Sequence, residues 1–195
     1  MARLQTAFVL GYHGCLAPLG EKVLAGTLAL SKSEKDYDWL GPGVYFWESD
    51  PLRAWEWADQ RAQASGEAPF VIGAVIDLGN CLDLLSRDSL ELLVYSHKAL
   101  KDLVASAGYG LVLPKNGGKD GDKLLRYLDC AVIRVLHSAL EDQDEEPFDT
   151  VRGLFTEGEP LYEGSGFKQK THIQIAVCTP NSIKGFFRVP RPEAE

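Results

Sequence analysis

No run of apolar residues in this 195-residue chain approaches the ~18 that a membrane-crossing helix needs. The opening residues hold no basic stretch followed by an apolar one, so no secretory leader and no membrane partner are expected. The four cysteines, Cys15, Cys81, Cys130 and Cys178, stand far apart with no CxxC pair. That spacing argues against a zinc ribbon or a dithiol redox motif. Free thiols fit a reducing cytoplasm, or delivery into a target cytoplasm without a classical signal. The four histidines are scattered as well, so no metal is expected. Positive charge is scarce: 20 Lys and Arg face 28 Asp and Glu, a net charge of −8. A chain this acidic is a poor general coat for nucleic acid, because phosphate affinity needs clustered cations. No internal repeat is visible.

What is present is ordinary for a folded domain. Apolar residues make up 45% and charged ones 25%, enough to bury a core without staples. The expectation is a single domain over 1–195. The charge is uneven. Residues 141–146 hold five acids and no base, and an acidic loop is expected over 141–150. Residues 166–192 hold Lys168, Lys170, Lys184, Arg188 and Arg191 and no acid. A flexible tail is expected over 188–195.

Periodicity marks the elements. Short runs at 7–10, 44–47, 70–78, 171–179 and 183–189 read as strands. Asp50-Pro51 has the form of an N-cap with proline at the first helical position. The helix that follows carries Leu52, Trp55, Ala58 and Ala62 at helical spacing. Leu90, Leu93, Val94, His97, Leu100 and Val104 mark one face of a second helix, and Leu124 to Ala139 a third. The patches Val151–Phe155 and Leu161–Tyr162 lie among glycines and read as loop. Strands at both ends with helices between them predict an α+β fold.

Three fragments stand in a telling order. A first strand leads into Tyr12-His13-Gly14, a later strand reads Gly43-Val44-Tyr45-Phe46, and Thr171–Thr179 alternates near the end. This set resembles the ADP-ribosyltransferase superfamily, in its diphtheria-toxin-like and poly(ADP-ribose) polymerase-like branch. The likeness covers about residues 7–84, and 171–189 more loosely. It implies a split, mixed or antiparallel β core with flanking helices, and NAD as a substrate rather than a metal cofactor.

The resemblance also implies roles. His13 would contact the adenine-side ribose, while Gly14 lets the backbone approach the nicotinamide amide. Tyr45 would stack on the nicotinamide ring. A second aromatic on the following helix is Trp57, or else Trp55, which also suits the core. At the third position polymerising members carry glutamate, and this chain has Gln174. Cleaving the nicotinamide–ribose bond builds positive charge on the ribose. Glutamine can orient a hydroxyl but adds no negative charge. His13, Tyr45 and Gln174 therefore imply a single transfer or a weak enzyme, unless Glu48 or Glu163 supplies the carboxylate; both also read as ordinary surface acids. Residues 147–170, with Phe155, Tyr162, Phe167 and Lys168, would form the loop that meets a protein or nucleic-acid acceptor; a solvated loop with anchoring aromatics is the alternative.

The expected function is mono-ADP-ribosyl transfer from NAD, in a toxin, effector or defence role with a neutralising antitoxin or immunity partner. Two alternatives remain open: an NAD glycohydrolase, and a non-catalytic module binding ADP-ribose or a protein. Cys15 reads as a buried thiol rather than a nucleophile.

Overall fold

A computed structural model describes residues 8–108, 110–118 and 124–192. In chain order the elements are β1 (Phe8–Leu16), α1 (Ala17–Leu24), β2 (Val44–Glu48), α2 (Pro51–Ser65), β3 (Pro69–Asp77), β4 (Cys81–Asp83), α3 (Arg87–Ser106), α4 (Tyr127–Asp142), β5 (Thr150–Phe155), β6 (His172–Val177) and β7 (Ile183–Arg188). The strands form a seven-stranded mixed sheet in the order β4-β5-β6-β2-β1-β3-β7. Only β4 and β5 run parallel; the other pairs are antiparallel. The class is α+β, as expected. Among the described residues no helix is long and apolar enough to cross a membrane.

The sheet is nearly two. β1 pairs with β3 over all nine of its residues. Its pairing with β2 covers only Gly11 opposite Glu48 and Tyr12 opposite Trp47. From His13 onward β1 keeps its β3 partner and diverges from β2. Gly11 permits the close join just before the split, since a Cβ there would press on Phe46 and Ile76 side chains. The glycine serves packing, and the strand continues through His13 and Gly14 to Leu16.

Alternation assigns the faces. One face carries Tyr12, Trp47 and Val71, covered by Ala54, Trp55 and Ala58 of α2. On the same face, Ala176, Val151 and Leu82 pack against Ile133 and Leu136 of α4. The other face carries Phe46, Ala74, Ile76 and Ile175, with Leu30, Leu78 and the β7 residues Ile183 and Phe186 packed against them. Helix α2 begins as the sequence predicts: Arg53 N–H donates to the Asp50 side chain at 3.0 Å, and Gly66 closes the helix at φ +76°. Leu52, placed on the apolar stripe, is 59% exposed.

Four other expectations change. Val151–Phe155 is a strand, paired on both sides, so Phe155 is buried sheet rather than acceptor loop. The acidic loop is shorter than 141–150, because α4 runs to Asp142 and β5 begins at Thr150. Its second half is pinned where Asn80 Nδ2 donates to Pro147 O at 2.9 Å and Asp149 N–H donates to Asn80 O at 2.8 Å. The tail from 188 is held as far as Arg191. Arg188 grips Glu21 with both terminal nitrogens, and Arg191 pairs with Asp59. Residues 193–195, like 119–123, lie outside the described residues. Lastly, Leu90 and Val94 of α3 are exposed, while Ser89 and Ser96 are buried. Ser96 Oγ donates to Val132 O at 2.6 Å and joins α3 to α4, while the expected apolar face holds at the half-buried Leu93, Leu100 and Val104.

Candidate functional site

A cleft of about 810 Å³ lies at the end of β1, beyond the point where β1 parts from β2. His13, Gly14, Cys15 and Leu16 form its floor, α2 contributes Trp57 and Arg61, and α1 with the segment after it forms the remaining wall. Lys22, Lys32, Lys35 and Arg61 line it against Glu34 and Glu67, so the cleft has a cationic excess within an acidic protein. Such a lining concentrates anions.

His13 Nδ1 donates to the Tyr45 carbonyl at 2.8 Å. A carbonyl only accepts, so Nδ1 bears the proton and Nε2 remains an acceptor in the neutral ring. Burial is the main cause that lowers the His13 pKa; the carbonyl contact opposes it and Arg61 assists it. The cleft is thus floored by a neutral imidazole. Cys15 is buried, and desolvation raises its pKa to about 11, so it stays a thiol.

The structure brings His13, Gly14 and Trp57 together at this cleft, but not Tyr45 or Gln174. The pairings Trp47–Tyr12 and Trp47–Gln174 set Gln174 and Tyr45 on the α2–α4 face of the sheet. His13 projects to the other face, where its ring lies 5.7 Å from that of Phe46. The Tyr45 ring packs against the core under α4. Its hydroxyl donates to Gly41 O at 2.7 Å and accepts from Leu40 N–H at 2.8 Å. Tyr45 therefore fastens the loop before β2. Tyr45→Phe would strip both backbone groups of their partner and is expected to cost about 1–3 kcal/mol, read as a lower urea midpoint. Gly14 is also explained by packing, because a Cβ there would overlap the backbone carbonyl oxygen of Ala54 in α2.

Neither sequence-predicted acid lines the cleft. Glu48 takes Nε and Nη2 of Arg152, the latter at 2.9 Å, and Asp83 shares that guanidinium. Glu163 is exposed near the tip of a hairpin closed by Leu161 N–H donating to Phe167 O at 3.0 Å. Tyr162, Phe167 and Leu161 project from that tip into solvent, and Lys168 bridges to Pro160 at its base.

A polar cluster around Gln174 escaped the sequence reading. His172 Nδ1 donates to Lys170 O at 2.7 Å, which leaves Nε2 to accept the Gln174 amide at 3.1 Å. Burial is the main cause that lowers the His172 pKa. Glu157, only 9% exposed, accepts from Arg53 Nη2 at 2.9 Å. Nothing in the sequence signals a pair 104 residues apart. The Arg53 guanidinium lies over the Trp47 ring, 5.8 Å from its centroid. Among the described residues no group of three His, Cys, Asp or Glu side chains is placed to hold a metal ion. No family model matches the chain, and no curated protein or solved structure matches it.

Proposed function

We propose that the chain binds NAD in the cleft at His13 and Gly14 and makes single ADP-ribosyl transfers from it. The observation that carries this reading is the cleft itself. It has the size range of a nucleotide site, a neutral histidine acceptor, a part-exposed indole on Trp57 and a cationic wall in an acidic protein. The lysines and Arg61 suit a pyrophosphate. Nε2 of His13 suits a ribose hydroxyl that donates. The divergence of β1 and β2 supports this reading, because the resemblance to the ADP-ribosyltransferase superfamily implies a split core. With Tyr45 turned into the core, Trp57 is the ring left to stack on a base.

In the reaction the bond between ribose C1′ and the nicotinamide nitrogen breaks, and its electron pair leaves on nicotinamide. An acceptor oxygen or nitrogen bonds to C1′ and releases its proton to solvent. The acceptor is a protein or nucleic acid that approaches over the exposed tip at Tyr162 and Phe167; water in its place gives a glycohydrolase.

A second reading, a module that binds ADP-ribose without turnover, is favoured by one observation: Tyr45 and Gln174 stand on the face away from His13. Calorimetry with NAD and an assay of released nicotinamide separate the two. Binding with release supports transfer or hydrolysis, and labelled macromolecules support transfer. Binding alone supports the module. Reversing Arg61 and Lys32 to Glu together is expected to weaken NAD at least ~10-fold, about 1.4 kcal/mol, and to flatten its salt dependence. No measurable affinity in the wild type sinks both readings.

A further inference from the structure

Helix α3 carries two apolar strips, and its neighbour α4 covers one. Ser89, Leu93, Ser96, Leu100 and Val104 lie on the covered side, buried or half-buried. Leu92, Tyr95, Ala99 and Leu103 recur at intervals of three and four residues on an adjoining strip. Tyr95 is 69% exposed, Leu103 57% and Leu92 40%. Leu90 and Val94 stand on the opposite flank, over a separate groove shared with Leu154 and Phe155. Apolar side chains exposed singly need no explanation, but an ordered strip of them marks a contact surface.

The charges along the strip indicate what covers it. Glu91 and Lys98 each precede a strip residue by one position, Leu92 and Ala99 respectively. They are two turns apart, so both stand along the same edge, and both are exposed. Lys98 Nζ lies 3.0 Å from the Asp102 carboxylate in the same helix, with both side chains well exposed. Such a pair is weak, and an ammonium has further N–H groups to offer. One edge therefore bears an acid toward the helix start and a base toward its end, placed evenly about Tyr95. That pattern is complementary to itself once reversed. A two-fold axis performs that reversal, because it brings the same patch of two copies together.

We infer that α3 docks antiparallel on α3 of a second copy, about a two-fold axis close to Tyr95. Glu91 then meets Lys98 of the other copy, and Lys98 meets Glu91, so the contact holds two such pairs. Leu92 faces Ala99 of the other copy, a large side chain against a small one. The two Tyr95 rings lie beside the axis, and the antiparallel helix dipoles attract. A 20-residue helix is about 30 Å long, and one face of it covers less than the ~800 Å² per partner of a standard interface. The dimer is accordingly weak and depends on concentration. None of these residues lines the cleft at His13, so the inference is independent of the NAD reading.

Sedimentation velocity of the full chain at low salt tests it. Monomers are expected at about 5 µM and mostly dimers at about 500 µM, with weaker association as salt rises. Leu92→Glu or Tyr95→Glu is expected to weaken association at least ~10-fold, while Val94→Glu on the opposite flank changes it less than ~2-fold. Glu91→Lys and Lys98→Glu, each alone, place like charges together and are expected to weaken it about 5-fold or more. Mixing those two variants, or joining both changes in one chain, restores opposite charges and is expected to recover most of that loss. All five positions are exposed, and thermal unfolding confirms that each variant is folded. A wild type that stays monomeric at about 500 µM overturns the inference. So does a dimer that survives both Tyr95→Glu and the charge reversals, or one that the mixture fails to recover.

Discussion

Acidification from about pH 7.5 to pH 5 is expected to destabilise the protein steeply, through its buried histidines. Burial lowers the pKa of His13, His137 and His172, and in each it is the largest cause. Lesser influences differ. The carbonyls of Tyr45 and Lys170 favour the charged rings of His13 and His172, and Glu157 adds to this at His172. Glu141 favours charge on His137, whereas Lys32 opposes it. The sign follows from proton counts. An unfolded histidine takes up its proton near pH 6.5, and these folded ones do so only at lower pH. Below about pH 6.5 the unfolded chain therefore binds more protons, and stability falls with pH. Above it the contribution is constant. Each histidine adds up to about 1.4 kcal/mol per pH unit until its folded pKa is reached. His172, at 4% exposure, should approach that slope; the part-exposed His13 and His137 should give less. Total stabilities of ~5–15 kcal/mol make such a loss large. Urea midpoints across this range check it. A flat profile would show that the rings are charged, or freely hydrated, in the native state. His172→Gln should reduce the slope, at the cost of its bonds to Lys170 and Gln174.

Much of the scaffold was legible because local periodicity fixed it. Val44–Trp47, His172–Val177 and Ile183–Arg188 each alternate or run apolar between turn residues. Asp50-Pro51 opens α2 by a local hydrogen bond that the sequence itself spells. Strand β5 was missed for a local reason too. It is short, its middle residues are Arg152 and Gly153, and its neighbours on either side are rich in loop residues. Only pairing with β4 and β6 makes it a strand. Helix α3 follows its sequence in part: Leu93, Leu100 and Val104 are half-buried on the expected face, whereas Leu90 and Val94 are exposed and Ser96 bonds to α4.

The candidate site was less legible, because sites depend on register. His13, Tyr45 and Gln174 are recognisable as residues, but the face each one takes follows from pairings of β1 with β2 and of β2 with β6. With Tyr12 opposite Trp47, His13 and Tyr45 must part company across the sheet. The cationic wall is likewise assembled from α1, α2 and the segment between α1 and β2. No single stretch of sequence shows the charge excess. Glu157 and Arg53 meet only when the hairpin base folds against α2.

Gly14→Ala is expected to be among the most damaging single substitutions in the chain. The added Cβ would overlap the Ala54 carbonyl oxygen and press on the Ala58 backbone nitrogen. Both obstacles are helix backbone, which cannot swing aside as a side chain does, so α2 must shift away from β1. Overpacking of this kind costs about 1–3 kcal/mol, and the upper end or more is expected against backbone. Gly166→Ala makes the control, since that exposed position has open space around it and should change stability by less than about 0.5 kcal/mol. Thermal and urea unfolding check both. The substitution also separates two accounts of the glycine. If Gly14 exists chiefly to let a ligand approach β1, Gly14→Ala would keep full stability and lose NAD binding alone. If it exists to seat α2, stability falls first, and NAD binding falls with it, because α2 carries Trp57 and Arg61 into the cleft. The close approach of Ala54 favours the second. The glycine that marks the site in the sequence would then act on the ligand through the helix it admits.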